Sequence, residues 1–466
     1  MVAFILAGER SIADSLCRLF HTICRRSPRL MYTVYSLAYA LALLLSLPYW
    51  LLGMLRAGKY RAGLKERLGA VPARLKRPEA GEESIWIHAV SVGEVLAVSG
   101  LVEALKARAP EVRIFISTTT LTGQKLARDR FGEQNVFYIP LDLPFAVNAF
   151  LSAIRPRMLV LAETEFWPNV IRFAKNQGAA IAVVNARISD RSLPGYRRFR
   201  GLLRRVLANV DIFLAQTESD RERLVAIGGP GERVRVGGNL KFDVKAPAES
   251  ALARSLREVL APEQQVIVFG STADGEEAFL TPCFKAVLAD FPQALIVLAP
   301  RHPERFDAVA DLLRSSGLSF WRRSAWTGAA VARGVLLLDS IGELASVYSL
   351  AEITFVGGSL VPRGGHNILE PAHFGKPILI GPHYENFRDI VRAFLAHDAV
   401  RVVSADQLAP AVLQLLHSPH EAIQLGLRAF SVVEQGRGST QRTVEVLRGL
   451  LQSTSNNLPE MSAPRA

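Results

Sequence analysis

Three acidic side chains follow apolar runs of the sequence at points where a strand would end. Glu94 lies in HAVSVGEV, where an apolar run gives way to a helical pattern, and Glu163 and Glu165 bracket a threonine in AETEFWPN. Alternate residues of a strand point the same way, so the last two acids could face one site. A carboxylate so placed can act as a general base that takes a proton from a hydroxyl group. On spacing alone Glu94 could equally stabilise the first turn of a helix, where glutamate is common, and both interpretations stay open.

Further candidate site residues are a lysine near a predicted domain junction and basic or small residues at other predicted strand ends. Lys241 lies in GNLKFD near a predicted domain junction, and only this position distinguishes it from an ordinary surface lysine. Arg301 follows Pro300 in APRHPERF, and an arginine at a strand end suits a phosphate. In FGSTADGEE the hydroxyls of Ser271 and Thr272 precede a helix start, which could also hold a phosphate. This segment is neither a P-loop nor a dinucleotide-binding motif, because it lacks both GK[ST] and GxGxxG.

The densest group of candidate ligand-binding residues lies in 355–387, FVGGSLVPRGGHNILEPAHFGKPILIGPHYENF, whose two glycine pairs allow close approach of a ligand. Asn367 and Glu370 are three residues apart at a helix start and therefore share a face. A carboxylate so placed commonly binds ribose hydroxyls. In DSIGEL the backbone amides of Gly342 and Glu343 follow another predicted strand. The three histidines of 355–387 are spaced too irregularly to predict a metal site, and we expect no metal.

The elements that must position these residues alternate between strand and helix. Short apolar runs of the kind covered by helices on both faces recur along the chain. The predicted strands are Ser84–Val90, Val112–Thr118, Met158–Glu163, Ala179–Ala186 and Asp211–Gln216, then Gln265–Ser271, Ala294–Pro300, Val335–Ser340, Glu352–Ser359 and Pro377–Pro382. The alternation predicts an α/β fold, and the break near 245–250 predicts two Rossmann-like, doubly wound domains that face a cleft.

An apolar segment precedes the first predicted strand. The chain has 466 residues, a net charge of +12 and a mean hydropathy of +0.19. Residues 31–55 carry no charge, and a helix of that length would extend about 37 Å, enough to cross a hydrocarbon core of about 30 Å. Aromatic residues lie toward both ends of the segment, and a basic stretch from Arg56 to Arg77 follows it. The segment is therefore predicted to be a membrane anchor, with the side that follows it in the cytoplasm.

Residues 1–30 are also basic, which complicates the orientation of the anchor. The segment could lie within one leaflet as a monotopic anchor, and Pro48 would help by kinking it. Alternatively, translation could start at Met31, so that 1–30 is an upstream extension, and we favour this interpretation over the monotopic anchor. A cleaved signal peptide is not favoured, because no small-residue cleavage site precedes the basic run. A buried core helix is the remaining alternative.

The three cysteines indicate a reduced, metal-free protein. Cys17, Cys24 and Cys283 lack the spacing of metal ligands, and the first two lie in a basic leader. Reduced cytosolic thiols are therefore expected, with neither a structural disulfide nor a zinc site.

Six segments in order, together with the basic anchor in front of them, resemble one known family. They are HAVSVGE, AETEFWPN, NARISDRS, GNLKFD, APRHPERF and GGSLVPRGGHNILEPAHFGKPILIGPHYENF. With these segments the chain resembles the transferases of 3-deoxy-D-manno-octulosonic acid (Kdo), inverting glycosyltransferases of the GT-B architecture. The resemblance runs from about Met31 to the end of the last predicted helix. It implies transfer of Kdo from CMP-Kdo to a lipid A precursor in lipopolysaccharide biosynthesis, at the cytoplasmic face of a bacterial inner membrane.

The resemblance also implies roles for particular residues. Glu94 would be the catalytic base, and Glu163 and Lys241 would help to stabilise the transition state. No cofactor and no metal is implied. The implied partners are the CMP-Kdo donor, a phosphorylated glycolipid acceptor and the inner membrane, with no nucleic acid. The implied CMP-binding residues are Pro300, Arg301, Ile341, Gly342, Glu343, Asn367, Ile368, Leu369 and Glu370.

The predicted domain organisation follows from these assignments. It comprises a basic leader (1–30), a membrane anchor (31–55), an acceptor-binding domain (56–245), a CMP-sugar-binding domain that ends in a crossover helix (246–452) and a disordered tail (453–466).

Two other functions fit part of the sequence. Another GT-B enzyme could use a UDP-sugar on a membrane lipid, although a diphosphate donor should require a glycine-richer loop in the second half. A nucleic-acid-binding protein would explain the charge of +12. It should carry basic residues over one face with aromatic residues between them, whereas here the excess gathers beside the apolar segment.

Overall fold

A computed structural model describes residues 28–57, 62–75, 83–190, 192–244, 248–328 and 333–455 of the chain. The chain divides into two compact units. The first unit comprises the residues up to Val244 together with those from Gly438 onward, and the second comprises Lys245–Arg437. The cysteines at 17 and 24, the leader up to residue 27 and the tail from residue 456 lie outside the described residues.

The first unit contains a parallel sheet covered by helices. Its strands are β1 (Ser84–His88), β2 (Arg113–Thr118), β3 (Val136–Tyr138), β4 (Met158–Ala162), β5 (Ala180–Ala186), β6 (Ile212–Ala215) and β7 (Val234–Val236). Its helices are α1 (Pro28–Ala57), α2 (Leu64–Arg67), α3 (Val92–Arg108), α4 (Leu121–Phe131), α5 (Pro144–Ile154), α6 (Pro168–Asn176), α7 (Leu193–Arg198), α8 (Arg200–Leu207) and α9 (Glu218–Ala226). The described part of the sheet has the order β3-β2-β1-β4-β5-β6-β7, with every pair parallel.

Alternating side chains of the central strands fill two cores. Trp86 of β1 points into one core, and its neighbours Ile85 and Ile87 point into the other. Because both faces of the sheet are buried, its strands are almost uninterrupted apolar runs. Both cores end where the strands end, so the polar residues that follow the strands collect along one edge of the sheet.

The second unit has the same arrangement, a parallel sheet covered by helices. Its strands are β8 (Val266–Thr272), β9 (Leu295–Pro300), β10 (Phe320–Arg322), β11 (Gly334–Leu337), β12 (Ile353–Val356), β13 (Ile378–Ile380) and β14 (Arg401–Val402). Its helices are α10 (Ala251–Val259), α11 (Glu276–Asp290), α12 (Phe306–Ser315), α13 (Leu344–Val347), α14 (Leu369–Ala372), α15 (Arg388–Leu395), α16 (Ala405–His417) and α17 (Pro419–Gly436). The described strands have the order β10-β11-β9-β8-β12-β13-β14, again all parallel.

The last helix, α18 (Ser439–Ser455), belongs to the first unit. Its residues Val444 and Leu447 are fully buried in the same core as Ile85 and Ile87. Asp243 binds the start of this helix, because its carboxylate accepts hydrogen bonds from the backbone N–H groups of Gly438, at 2.6 Å, and Thr440.

The predicted α/β fold class is confirmed, and each predicted strand is present with its ends moved by a few residues. Four further strands were not predicted, namely β3, β7, β10 and β14. They are the outer strands of the two sheets and are only two or three residues long.

The apolar segment forms α1, and the 20 residues Arg29–Pro48 have a mean hydropathy of 1.8. This stretch is long and apolar enough to cross a membrane or to serve as a signal sequence. It is also in contact with the first unit, because Met31, Tyr35 and Tyr39 are buried.

Candidate active site

Glu94 occupies the first turn of α3, at the edge of the first sheet where β1 ends. One carboxylate oxygen accepts a hydrogen bond from the backbone N–H of Val90 at 2.8 Å, and the other accepts one from the hydroxyl of Ser91 at 3.1 Å. Glu94 therefore does stabilise the helix start, as one of the two sequence interpretations holds. These bonds also fix the position of its carboxylate, so this contact is compatible with a catalytic role.

The surroundings of Glu94 favour its protonated form. Burial raises the pKa of Glu94 from 4.5 to about 8, and the nearby charge of Glu163 adds to the effect. The charge of Glu165 also raises the pKa of Glu94, whereas the hydrogen bonds from Val90 and Ser91 lower it. Burial also raises the pKa of Glu165. A carboxyl group with a pKa close to neutral can both accept and release a proton, as a general base requires.

Glu163 is held by an unusual backbone conformation just after β4. Its φ is 57°, in the left-handed region that residues with a Cβ seldom adopt, and its N–H donates to the carbonyl of Val184 at 2.9 Å. Such a conformation costs of order 1–3 kcal/mol and persists where the surrounding structure requires it. The Nζ of Lys241 lies 3.5 Å from Oε1 of Glu163. A carboxylate and an ammonium group thus lie side by side, both mostly shielded from solvent.

A buried polar network positions Lys241. The side chain of Asn239 accepts a hydrogen bond from the backbone N–H of Lys241 at 3.0 Å, and its amide donates to Gln216 at 3.0 Å. The side chain of Asn185, whose φ is 54°, accepts a hydrogen bond from the N–H of Leu240 at 3.0 Å. The lysine therefore sits on a short 3-10 turn, Leu240–Asp243, that is fixed on both sides.

In the second unit, Arg301 and Glu370 interact electrostatically. Arg301 follows β9, and its charge acts on Glu370, whose pKa is raised chiefly by burial. The side chain of Asn367 donates a hydrogen bond to Glu370 at 3.3 Å and accepts one from the N–H of Leu369 at 3.2 Å. His366 beside them stays neutral, since burial, and then the charge of Arg301, lower its pKa to about 4. The site therefore combines an exposed cation, Arg301, with a half-buried acid, Glu370, whereas Ile368 and Leu369 are buried core residues.

The DSIGEL segment is held by a separate ion pair. Both carboxylate oxygens of Glu343 lie 3.1 Å from the guanidinium of Arg323. Gly342 has a φ of 90°, and Ile341 is 70% exposed. Pro300 is the buried last residue of β9. The Glu343 side chain is thus paired within the protein, whereas Ile341 and Gly342 of this turn are exposed.

One further residue shapes this site and was not predicted. Glu276, at the start of α11, is completely buried. One carboxylate oxygen accepts hydrogen bonds from the N–H groups of Ser359 and Leu360 at 2.8 and 2.7 Å, and the other from Gly358 and Ala273 at 2.6 and 2.8 Å. Four donors on one buried carboxylate fix the glycine-rich loop after β12 relative to the turn after β8.

A glycine is required where this loop passes Glu276. A Cβ on Gly357 would come within 2.7 Å of a Glu276 oxygen and of the backbone of Thr272. The sequence signal for this arrangement is the acidic pair in FGSTADGEE, which was interpreted only as a helix start. Within the described residues, no three His, Cys, Asp or Glu side chains are grouped as metal ligands would be.

The fold of two parallel α/β units resembles known nucleotide-sugar enzymes. A solved structure of UDP-GlcNAc 2-epimerase from Neisseria meningitidis bound to UDP-GlcNAc aligns with a TM-score of 0.53 over 78% of this chain and all of the other, at 14% identity. At that identity the likeness concerns the fold alone. Together with two parallel seven-stranded sheets, it places the chain in the GT-B class of architecture.

Residues 62–244 match the family model described as 3-deoxy-D-manno-octulosonic-acid transferase (kdotransferase). The 3-deoxy-D-manno-octulosonic acid transferase of Haemophilus influenzae is 36% identical over 403 residues, which cover 85% of this chain and 93% of the relative. The 3-deoxy-D-manno-octulosonic acid transferase of Bordetella pertussis is 36% identical over 432 residues, which cover 90% of this chain and 99% of the relative. The chain belongs to the Kdo transferase family and is a glycosyltransferase.

Proposed function

We propose that this Kdo transferase takes the sugar from CMP-Kdo and attaches it to a hydroxyl group of a phosphorylated lipid A precursor. The observation that carries the proposal is the group formed by Glu94, Glu163 and Lys241 at one edge of the first sheet, in a chain of this family. In this assignment the first unit binds the acceptor, and the second unit binds the CMP part of the donor.

The reaction is a single displacement with inversion. The carboxylate of Glu94 removes the proton from the acceptor hydroxyl, and the oxygen attacks the anomeric carbon of Kdo. The bond between that carbon and the phosphate oxygen breaks, and CMP leaves with the electron pair. The elevated pKa of Glu94 supports this role, because a more basic carboxylate accepts the proton more readily.

Glu163 and Lys241 stabilise charge as the bond breaks. The sugar passes through an oxocarbenium-like state, and a carboxylate beside it lowers the energy of that positive charge. Lys241, whose Nζ lies 3.5 Å from Oε1 of Glu163, adds a positive charge that favours departure of the phosphate. The left-handed backbone at Glu163 supports a role beyond folding, since strained residues cluster at active sites.

The second unit supplies the contacts to CMP. Arg301 offers a charge to the single phosphate, and the turn of Ile341, Gly342 and Glu343 offers backbone groups. Glu370, held by Asn367, is placed to accept hydrogen bonds from the ribose hydroxyls. Pro300, Ile368 and Leu369 are buried and support these contacts from within the fold. One phosphate requires fewer cationic partners than two, so we expect this set to bind CMP without a divalent metal.

The enzyme works at the cytoplasmic face of the bacterial inner membrane, where a lipid A precursor would be found. The apolar helix and the basic residues that follow it support this location. Exposed arginines on α7 and α8, namely Arg197, Arg198, Arg200 and Arg204, suit an acceptor and a surface that both carry phosphate.

The test is transfer from freshly generated CMP-Kdo to a tetra-acylated lipid A precursor, by purified full-length protein in the presence of excess EDTA. Mass spectrometry of the product should show one or more added Kdo units, and the number of units is read directly. UDP-N-acetylglucosamine serves as the alternative donor, and Glu94→Gln as the matched inactive variant. CMP binding without any Kdo transfer, or transfer from the UDP-sugar instead, would refute the proposed reaction.

A further inference from the structure

The helix α1 has two unlike faces. On one face, Met31, Tyr32, Tyr35 and Tyr39 are buried against the first unit. On the other, a leucine stripe points away from the unit. The stripe consists of Leu30, Leu37, Leu41, Leu44 and Leu45, which lie within about 100° of one another around a helix with 3.6 residues per turn. The last four are 57 to 74% exposed. Such a stripe is unusual on a protein surrounded only by water.

Polar contacts attach the buried face of α1 to the first unit. The hydroxyl of Tyr35 donates to the buried carboxylate of Asp142 at 2.8 Å, and the side chain of Asn169 donates to the hydroxyl of Ser36 at 3.0 Å. The guanidinium of Arg172 lies 4.4 Å from the centre of the Tyr32 ring. These contacts bind α1 to the protein itself, so this part of the helix is not surrounded by lipid.

Asp142 links α1 to the site. The same carboxylate accepts hydrogen bonds from the N–H groups of Asn169, at 3.0 Å, and Val170, at 2.9 Å, at the start of α6. That helix begins five residues after Glu163. The apolar helix therefore packs directly behind the segment that carries a proposed catalytic residue.

The chain returns to the first unit soon after α1 ends. Gly63 packs against the ring of Tyr138, and the carboxylate of Glu66 accepts a hydrogen bond from the N–H of Tyr138 at 2.8 Å. Ala57, the last residue of α1, is six residues before Gly63. Six residues reach at most about 20 Å even when fully extended.

These two attachments are incompatible with a helix that crosses the membrane. From Tyr39, which is held on the unit, to Ala57 the helix rises about 27 Å. A crossing helix would carry Ala57 to the far side of a hydrocarbon core about 30 Å thick, and six residues could not bring the chain back. Both ends of α1 must therefore lie on the same side of a bilayer.

The charges around α1 agree with this geometry. Basic residues lie at both ends of α1, with Arg25, Arg26 and Arg29 just before or at its start and Arg56 and Lys59 at or just after its end. For a crossing helix, one basic end would have to face away from the cytoplasm, against the usual charge bias. For a helix in the plane of the membrane, both basic ends meet the same anionic surface.

We propose that α1 does not span the membrane but lies in its plane, attached along one side to the first unit and inserting the leucine stripe into one leaflet. The partner is the surface of an anionic lipid bilayer. This arrangement holds the first unit flat against the leaflet and so keeps its proposed active-site edge at a constant height above the lipids. The inference builds on the proposed membrane location, but its test does not depend on sugar transfer.

The first measurement is the depth of spin labels in full-length protein bound to vesicles of phosphatidylethanolamine and phosphatidylglycerol. Labels are placed one at a time by Leu30→Cys, Leu37→Cys and Leu44→Cys, in protein whose leader cysteines are replaced by serine. Cys283 can stay, since it is buried and burial raises the pKa of its thiol to about 12. For a helix in the plane, the three labels should lie within about 5 Å of one depth. For a crossing helix they should spread by about 21 Å, at 1.5 Å per residue.

A depth gradient of that size would overturn the proposal, and so would three labels that all report water. A second measurement compares binding to the same vesicles for Leu41→Asp/Leu44→Asp and for Leu121→Asp, an exposed leucine of the first unit outside α1. The double variant should bind at least about tenfold more weakly, because it places two charges in the lipid, and the control should bind as the parent does. Equal binding by both would show that the leucine stripe is not the membrane contact. Thermal unfolding establishes that each variant is folded.

Discussion

Glu94 offers the sharpest test of the proposed chemistry, because its two roles respond differently to one substitution. In Glu94→Gln the side-chain oxygen can still accept the hydrogen bond from Val90, so the helix start is preserved. A residue that only stabilises a helix terminus contributes about 1 kcal/mol, and most of that would remain. The glutamine cannot accept a proton, however. If Glu94 is the base, the variant should be folded and should bind CMP, yet transfer Kdo more slowly by a factor on the order of a hundred or more.

The pH dependence of kcat/KM gives a second, independent test of Glu94 as the base. The base must be ionised to accept a proton, so kcat/KM should rise with pH and level off above the pKa of Glu94, which is about 8. At pH 7 only about one tenth of the carboxyl groups are then ionised, and the rate should be about a tenth of its plateau. In Glu163→Gln one cause of the raised pKa is removed while burial remains. The rise should therefore shift to lower pH but stay above the ordinary value of 4.5.

The assay is the initial rate of product formation between pH 6 and 9.5 at low acceptor concentration, followed by chromatography of the labelled lipid. Glu165→Gln is the matched control, because it removes a neighbouring acid that is assigned no contact with the reacting groups and raises the pKa of Glu94 less than Glu163 does. Its rate should remain within a few-fold of the parent. A Glu94→Gln enzyme that keeps more than about a tenth of the parental rate would refute the assignment of the base. A pH profile that does not move in Glu163→Gln would refute the electrostatic explanation.

Three further predictions concern other parts of the two units. Lys241→Ala should lower kcat on the order of a hundredfold and change the acceptor KM little, with part of the rate restored in Lys241→Arg; a larger change in KM than in kcat would contradict its role. Glu276→Gln should weaken CMP binding, measured by calorimetry, by roughly tenfold or more, since an amide cannot accept from all four N–H donors; unchanged affinity would contradict the role given to the glycine-rich loop. Burial lowers the pKa of His88 from 6.5 to about 4. Between pH 4 and 6.5 the unfolded state therefore binds more protons at this residue than the folded state does. As a result, the free energy of unfolding should be about 2 kcal/mol lower at pH 5 than at neutral pH because of His88. In His88→Gln that loss should be absent from urea unfolding curves at the two pH values, and an equal loss would show that another group is responsible.

The central part of both sheets could be predicted because each central strand is covered on both faces and is therefore an apolar run. The outer strands could not be predicted. Arg401–Val402 and Val234–Val236 are short and partly exposed, so no apolar run marks them. Their pairing depends on the neighbouring strand, which is information that the local sequence does not contain.

The same distinction applies to the candidate site. Glu94 and Glu163 were recognisable because they follow apolar runs, and Lys241 because it lies near the predicted domain junction in a segment shared with a family. The roles of all three residues remain predictions. Glu276 and Asp142 were not recognisable. Glu276 binds N–H groups more than 80 residues away, and Asp142 accepts from a tyrosine 107 residues before it. Buried carboxylates that organise a loop are identified by their hydrogen-bond donors, which only the folded chain brings together.

The place of α18 in the first unit sets the order in which the protein can be completed. Val444 and Leu447 fill the core of a unit whose other residues end at Val244, so 193 residues of the second unit, 245 to 437, are made in between. At ~5–20 residues per second, the ribosome needs about 10 to 40 s to add them. During that interval the first unit has an open apolar surface beside its sheet, while the second unit already has all of its own residues. The domain made first is therefore finished last, and a chain interrupted before Ser439 would leave that surface uncovered permanently.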